Sequence, residues 1–147
     1  MTIHPFKSVL ALLTLMLPLA STAATPEEEA KFVDAVKKAF DEKKPGDLSN
    51  LTCWDGVSEE TRKKGEETYK GLIEEKEVTF TFTLVEADLK KRKVDGGTSL
   101  PNLKIIKQLD MRMIDQRDNK RTTLGIIGFA VGEKEGKLLF VWEAPAK

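Results

Sequence analysis

The sequence predicts an α+β fold, with N-terminal helices packed on a curved antiparallel sheet, cone-like in outline. Three observations carry this. Between Glu27 and Ile73 the apolar residues recur at helical spacing, as in Phe32, Val33, Val36, Ala39 and Phe40. From Val78 the period drops to two, and Val78, Phe80, Phe82 and Leu84 alternate with Thr79, Thr81 and Thr83. Polar turn segments then separate every later apolar run. Helices first and hairpin-linked strands afterwards segregate the helices onto one face of an antiparallel sheet.

The chain opens with a weakly cationic start, Met1 to Lys7. An apolar core (Val9 to Leu17), a break at Pro18 and the small residues Ala20-Ser21-Thr22-Ala23-Ala24 follow. This is the three-part layout of a secretory signal peptide, read here over residues 1–24. The apolar run ends at Ala20, short of the roughly 20 residues a membrane-spanning helix needs. No cysteine follows it to carry a lipid. The expectation is export of a bacterial type, to the periplasm or the medium. A single domain over 25–147 follows, with no membrane span after cleavage.

The first helix is read over Glu27–Lys43. Thr25 can cap it, Pro26 suits its first position, and Glu27, Glu28 and Glu29 face the positive end of its dipole. Pro45-Gly46 is expected to stop it. Asp47 to Leu51 reads as a short helical turn leading to Cys53-Trp54. Ser58 then caps a third helix, running to Glu74 and carrying Thr61, Gly65, Thr68, Tyr69, Leu72 and Ile73 on one side. Gly65 costs about 1 kcal/mol against alanine in a helix, so close packing, as by another helix, is its expected reason.

The first strand is followed by the basic cluster Lys90 to Lys93 and a hairpin-type turn at Val94 to Gly97. Pro101-Asn102 opens a second strand, with Leu103, Ile105, Leu109, Met111 and Met113 on one face. Asp115 to Lys120 is a polar hairpin loop. Leu124 to Val131 is apolar on both faces, as in a central strand covered on each side. Glu133 to Gly136 turns again, and Leu138, Phe140 and Trp142 share a face of the last strand.

Composition excludes several functions. Twenty-four basic and twenty-four acidic residues balance, which is not the field of a nucleic-acid binder. The one histidine, His4, lies in the signal segment, so the mature chain has no histidine for triads, acid–base relays or zinc. No metal site and no cofactor are expected. Cys53 is the one cysteine. It reads as a small core residue beside Trp54, with an intermolecular disulfide in a homodimer as the functional alternative. Asn50-Leu51-Thr52 is a glycosylation sequon that matters only in a glycosylating source. Lys90 to Lys93 reads as a solvated loop. Asp110 falls with Lys104, Gln108 and Arg112 on the wetter face, so it is not expected to act as a pocket base.

The order of elements, with Gly46-Asp47-Leu48 where the first helix hands over to the second, resembles the nuclear-transport-factor-2-like superfold. That family is also called SnoaL-like or ketosteroid-isomerase-like. The resemblance covers nearly the whole mature chain but rests on element order, without a specific signature. It implies three helices across a curved sheet and an apolar pocket in a cone. The superfold hosts isomerases, dehydratases and cyclases as well as non-catalytic binding modules, so it implies no function by itself. No position here matches its catalytic residues closely enough to carry a role across.

The leading functional expectation is an exported, non-catalytic binding or interaction module. If a ligand is held, it is a small apolar one. Helix stripe and strand parity point Phe40, Tyr69, Phe80, Phe82, Met111 and Trp142 inward as its lining, unless they simply fill the cone. The rivals are a cofactor-free pocket enzyme using Tyr69 with a carboxylate, and a structural domain that dimerises through the outer sheet face.

Overall fold

A computed structural model describes residues 24–88, 99–117 and 121–145. The expected signal segment up to residue 23, the Lys90–Lys93 cluster and the expected Val94–Gly97 turn lie outside the described residues.

The helices come first, as expected. α1 (Pro26–Asp41) starts in a capping box: the Thr25 side chain accepts from the Glu28 backbone while the Glu28 carboxylate accepts from the Thr25 N–H at 2.6 Å. Its stripe buries Phe32, Val36 and Ala39. α1 ends two residues before the expected Lys43. Lys43 turns into the left-handed region (φ +56), and its ammonium donates to the Ile73 carbonyl at the far end of α3. Pro45 does more than stop α1: it occupies the first turn of α2 (Pro45–Asn50), where a missing N–H costs nothing. α3 (Glu59–Glu74) is capped by Ser58 and buries Gly65, Tyr69 and Ile73.

Four strands form a curled antiparallel half-barrel in the order β1-β3-β4-β5: β1 (Val78–Glu86), β3 (Ile105–Asp115), β4 (Thr122–Lys134) and β5 (Lys137–Phe140). Two short strands, β2 (Ser99–Pro101) and β6 (Glu143–Pro145), pair separately. On the concave face Phe80, Phe82 and Leu84 stand beside Met113, Met111 and Leu109, which in turn face Gly125, Ile127 and Phe129. The helices cover this face. Phe32, Val36, Ala39, Leu48, Tyr69 and Ile73 meet Leu109, Val131, Leu138 and Phe140 in one core.

Three strand expectations need correction. The second long strand begins at Ile105, because Pro101 and Asn102 belong to the β2–β6 corner. Asn102 holds that corner: its amide donates to the Cys53 carbonyl at 2.7 Å and accepts from the Trp142 N–H at 3.0 Å. A bulge at Ile106 then breaks the alternation, so Ile106 and not Ile105 packs on the core. Finally, β4 is central in the sheet but open on its convex side, where Ile126 is 53% exposed. Only its far end is covered there, where the Leu103–Lys104 backbone crosses close over Gly132.

The two lateral edges of the sheet differ. At β5 the segment after α2 pairs in: the Phe140 N–H donates to the Leu51 carbonyl and the Cys53 N–H to the Phe140 carbonyl. Among the described residues, no strand lies on the outer side of β1.

Candidate functional site

Four of the six expected lining residues meet in one internal space. Phe40, Tyr69, Phe82 and Met111 surround it with Val36, Leu48, Leu72, Leu109, Phe129 and Phe140. Its volume is about 10 Å³, no more than a single water could occupy. Met111 and Tyr69 are each 1% exposed, and the Phe40 ring lies 5.0 Å from those of both Phe80 and Phe82. These side chains are the packing of the cone.

Trp142 stands apart, beyond Tyr69. Its ring centroid is 5.2 Å from Trp54 and 5.9 Å from Tyr69. The two tryptophans press onto α3 at Gly65, where an added Cβ would lie 2.8 Å from Trp54 and 2.9 Å from Trp142. Close packing does explain Gly65, but the neighbours are indoles and not a second helix. Arg62 stacks over the outer face of Trp54 at 5.7 Å.

The polar chemistry at Tyr69 is closed. Thr52 Oγ1 donates its one proton to the Leu48 carbonyl at 2.8 Å, so the Tyr69 hydroxyl, also 2.8 Å away, is the donor to Thr52. Burial pushes its pKa up to about 12. Its hydrogen-bond partner is a threonine, not a carboxylate. Asp110 pairs across the sheet with Thr83 and Gly128 on the convex side, and accepts from Gln108 at 2.6 Å. Cys53 is a free thiol, 3% exposed, inside the corner that Asn102 ties down.

One open space lies at the mouth of the half-barrel. A cleft of about 260 Å³ runs between the end of α3 and the first turns of the sheet. Leu72, Val78, Phe80, Met113 and Leu124 supply its apolar wall, and Glu75, Lys76, Glu77 and Arg117 its rim. Leu124 reaches it through a bulge: Met113 pairs with Gly125 but Ile114 with Thr123, leaving Leu124 as the extra residue, 50% exposed. Gly125 leaves room for the Met113 methyl, 3.4 Å from where a Cβ would stand.

The rim is braced. Gln116 joins the α3–β1 turn through its backbone N–H to the Glu77 carbonyl and its side chain to Thr79. Arg117 grips Asp115 through two N–H groups at 2.6 and 2.9 Å, which holds that carboxyl below the usual range.

Of the expected lining, only Phe80 borders this cleft. Leu124 was read as a buried residue of a covered strand. The signal that could have found it is the glycine beside it, since a glycine within an apolar strand often marks a bulge.

A second groove of about 490 Å³ separates α2 from α3. Its α3 wall is charged, and Glu66 accepts there from both Ser49 and Arg62. Among the described residues, no three acidic or cysteine side chains gather as a metal would require, and no helix is long and apolar enough to cross a membrane. No protein-family model, curated protein or solved structure matches the chain.

Proposed function

We propose that this chain is a small exported binding module, acting without catalysis, that takes a small apolar ligand in the cleft at the mouth of its half-barrel. The observation that carries the reading is Leu124. A leucine half in water, facing Phe80 and Met113 across an open cleft, is apolar surface left exposed where the rest of the concave face is packed. The signal-peptide layout of residues 1–24 supports export to a bacterial periplasm or the medium. Helices on a half-barrel are compatible with the nuclear-transport-factor-2-like superfold, and we assign the chain there on that ground.

The pocket-enzyme reading has less support, because Tyr69 spends its proton on Thr52 and, among the described residues, not on a carboxylate. Dimerisation through the outer sheet face also has less, since Arg112 stands directly opposite Ile126 there and the polar Thr81, Thr83 and Asp110 share that face.

A cleft of this size suits a short chain of roughly eight to ten carbons. Octanoate, titrated into isotopically labelled protein, should shift the NMR signals of Leu72, Phe80, Met113 and Leu124 together. Leu124→Glu should abolish those shifts while the fold persists. Shifts confined to other residues, or unchanged in the variant, would refute the assignment of this cleft.

A further inference from the structure

We propose that the free edge of β1 is an interaction surface for a second copy of the same chain, the two β1 strands pairing antiparallel about a two-fold axis at Phe82. Edge strands in monomeric proteins are blunted by brevity, proline, bulges, inward charges or covering segments. The β5 edge follows that rule: it is four residues long, begins with Lys137 and is covered by the Leu51–Cys53 backbone. The β1 edge does not. It runs nine residues, Val78-Thr-Phe-Thr-Phe-Thr-Leu-Val-Glu86, without proline, glycine or a charge before Glu86. Its register with β3 is unbroken over all nine pairs, so no bulge turns it aside. None of its residues is buried, although Phe80, Phe82 and Leu84 sit on the concave, core-facing side. Among the described residues, no strand covers their outer flank.

The strand's own pattern selects the occupant. Pairing about Phe82 sets Phe82 against Phe82, Phe80 against Leu84 and Thr81 against Thr83. Phe80, Phe82 and Leu84 of the concave face then meet one another, the convex threonines meet threonine or Val85, and the terminal Val78 falls opposite Glu86. A shift by one residue would oppose phenylalanine to threonine along the whole strand, and a shift by two would shorten the overlap. Phe80 also lines the mouth cleft, so Leu84 of the second copy would flank that cleft. The pairing does not depend on the cleft being occupied.

Sedimentation of the exported protein over a wide concentration range tests this, since a single strand pair is a small interface and its dimer should be concentration-dependent. Thr81 and Thr83 are exposed, so they can be changed without touching the core. T81K/T83K places lysine opposite lysine and should weaken the dimer at least tenfold. T81K/T83E places lysine opposite glutamate in this register alone and should restore it. Ile126→Glu, on the convex face away from the edge, should leave it unchanged. A monomer at every concentration would overturn the proposal. So would a dimer that survives T81K/T83K, fails equally in T81K/T83E, or is lost in Ile126→Glu.

Discussion

Tyr69 shows how a side chain's direction can be legible while its polar partner is not. Its place on the apolar side of α3 marks it as inward-facing, and it is 1% exposed. What sequence cannot supply is the partner of its hydroxyl, because Thr52 is brought to it by the turn after α2, seventeen residues away. Burial, partly offset by the Thr52 hydrogen bond, raises the phenol from 10 to about 12. Below pH 10 the folded and unfolded chains both keep the proton, so the full contribution to stability is present. Between about 10 and 12 only the unfolded chain loses it, and stability should fall by about 1.4 kcal/mol per pH unit. Tyr69 is the one tyrosine in the chain, so tyrosinate absorbance reports on it alone. Absorbance and unfolding should move together near the upper end of that window. Tyr69→Phe should flatten the alkaline slope at a cost of about 1 kcal/mol at neutral pH. A tyrosinate transition near 10 in folded protein would show that the hydroxyl is not enclosed.

At the scale of elements, the helices were readable because their signals are local. Thr25, Pro26 and three glutamates start α1, and Ser58 starts α3, each acting within one turn of its own position. The strands were less so. The bulges at Ile106 and Leu124 change which residues face the core, and a bulge is a relation between two strands that one strand's alternation does not reveal. The β2–β6 pair escaped because each strand has three residues and joins positions more than forty apart. Gly65 tests how firmly α3 is set. Alanine there gains about 1 kcal/mol of helix propensity, yet its Cβ meets two tryptophan rings below 3.0 Å. Overpacking of that kind costs about 1–3 kcal/mol. Gly65→Ala should therefore lower stability in a denaturant titration and shift tryptophan emission. A stabilised variant would mean that the indoles move freely, and that α3 is not fixed by them.

For the whole molecule, the α+β class followed from the order of two periodicities and is the architecture found, with helices on the concave side of a half-barrel. The candidate site was only partly legible. Parity identifies residues that point inward but not whether they touch, and here the inward residues fill their space to about 10 Å³. What stays open on the concave side is a rim, assembled by Leu72 from α3, Phe80 from β1, Met113 from β3 and the bulged Leu124 from β4. The proposed function rests on this division between a packed interior and an open mouth. Unfolding free energy and octanoate affinity, measured side by side for Met111→Ala and Leu124→Ala, test it most directly. Met111→Ala should lose about 2–5 kcal/mol of stability and keep its affinity. Leu124→Ala should lose affinity while its stability changes far less. A Met111→Ala protein that stays stable but no longer binds would place the ligand inside the cone and contradict the account.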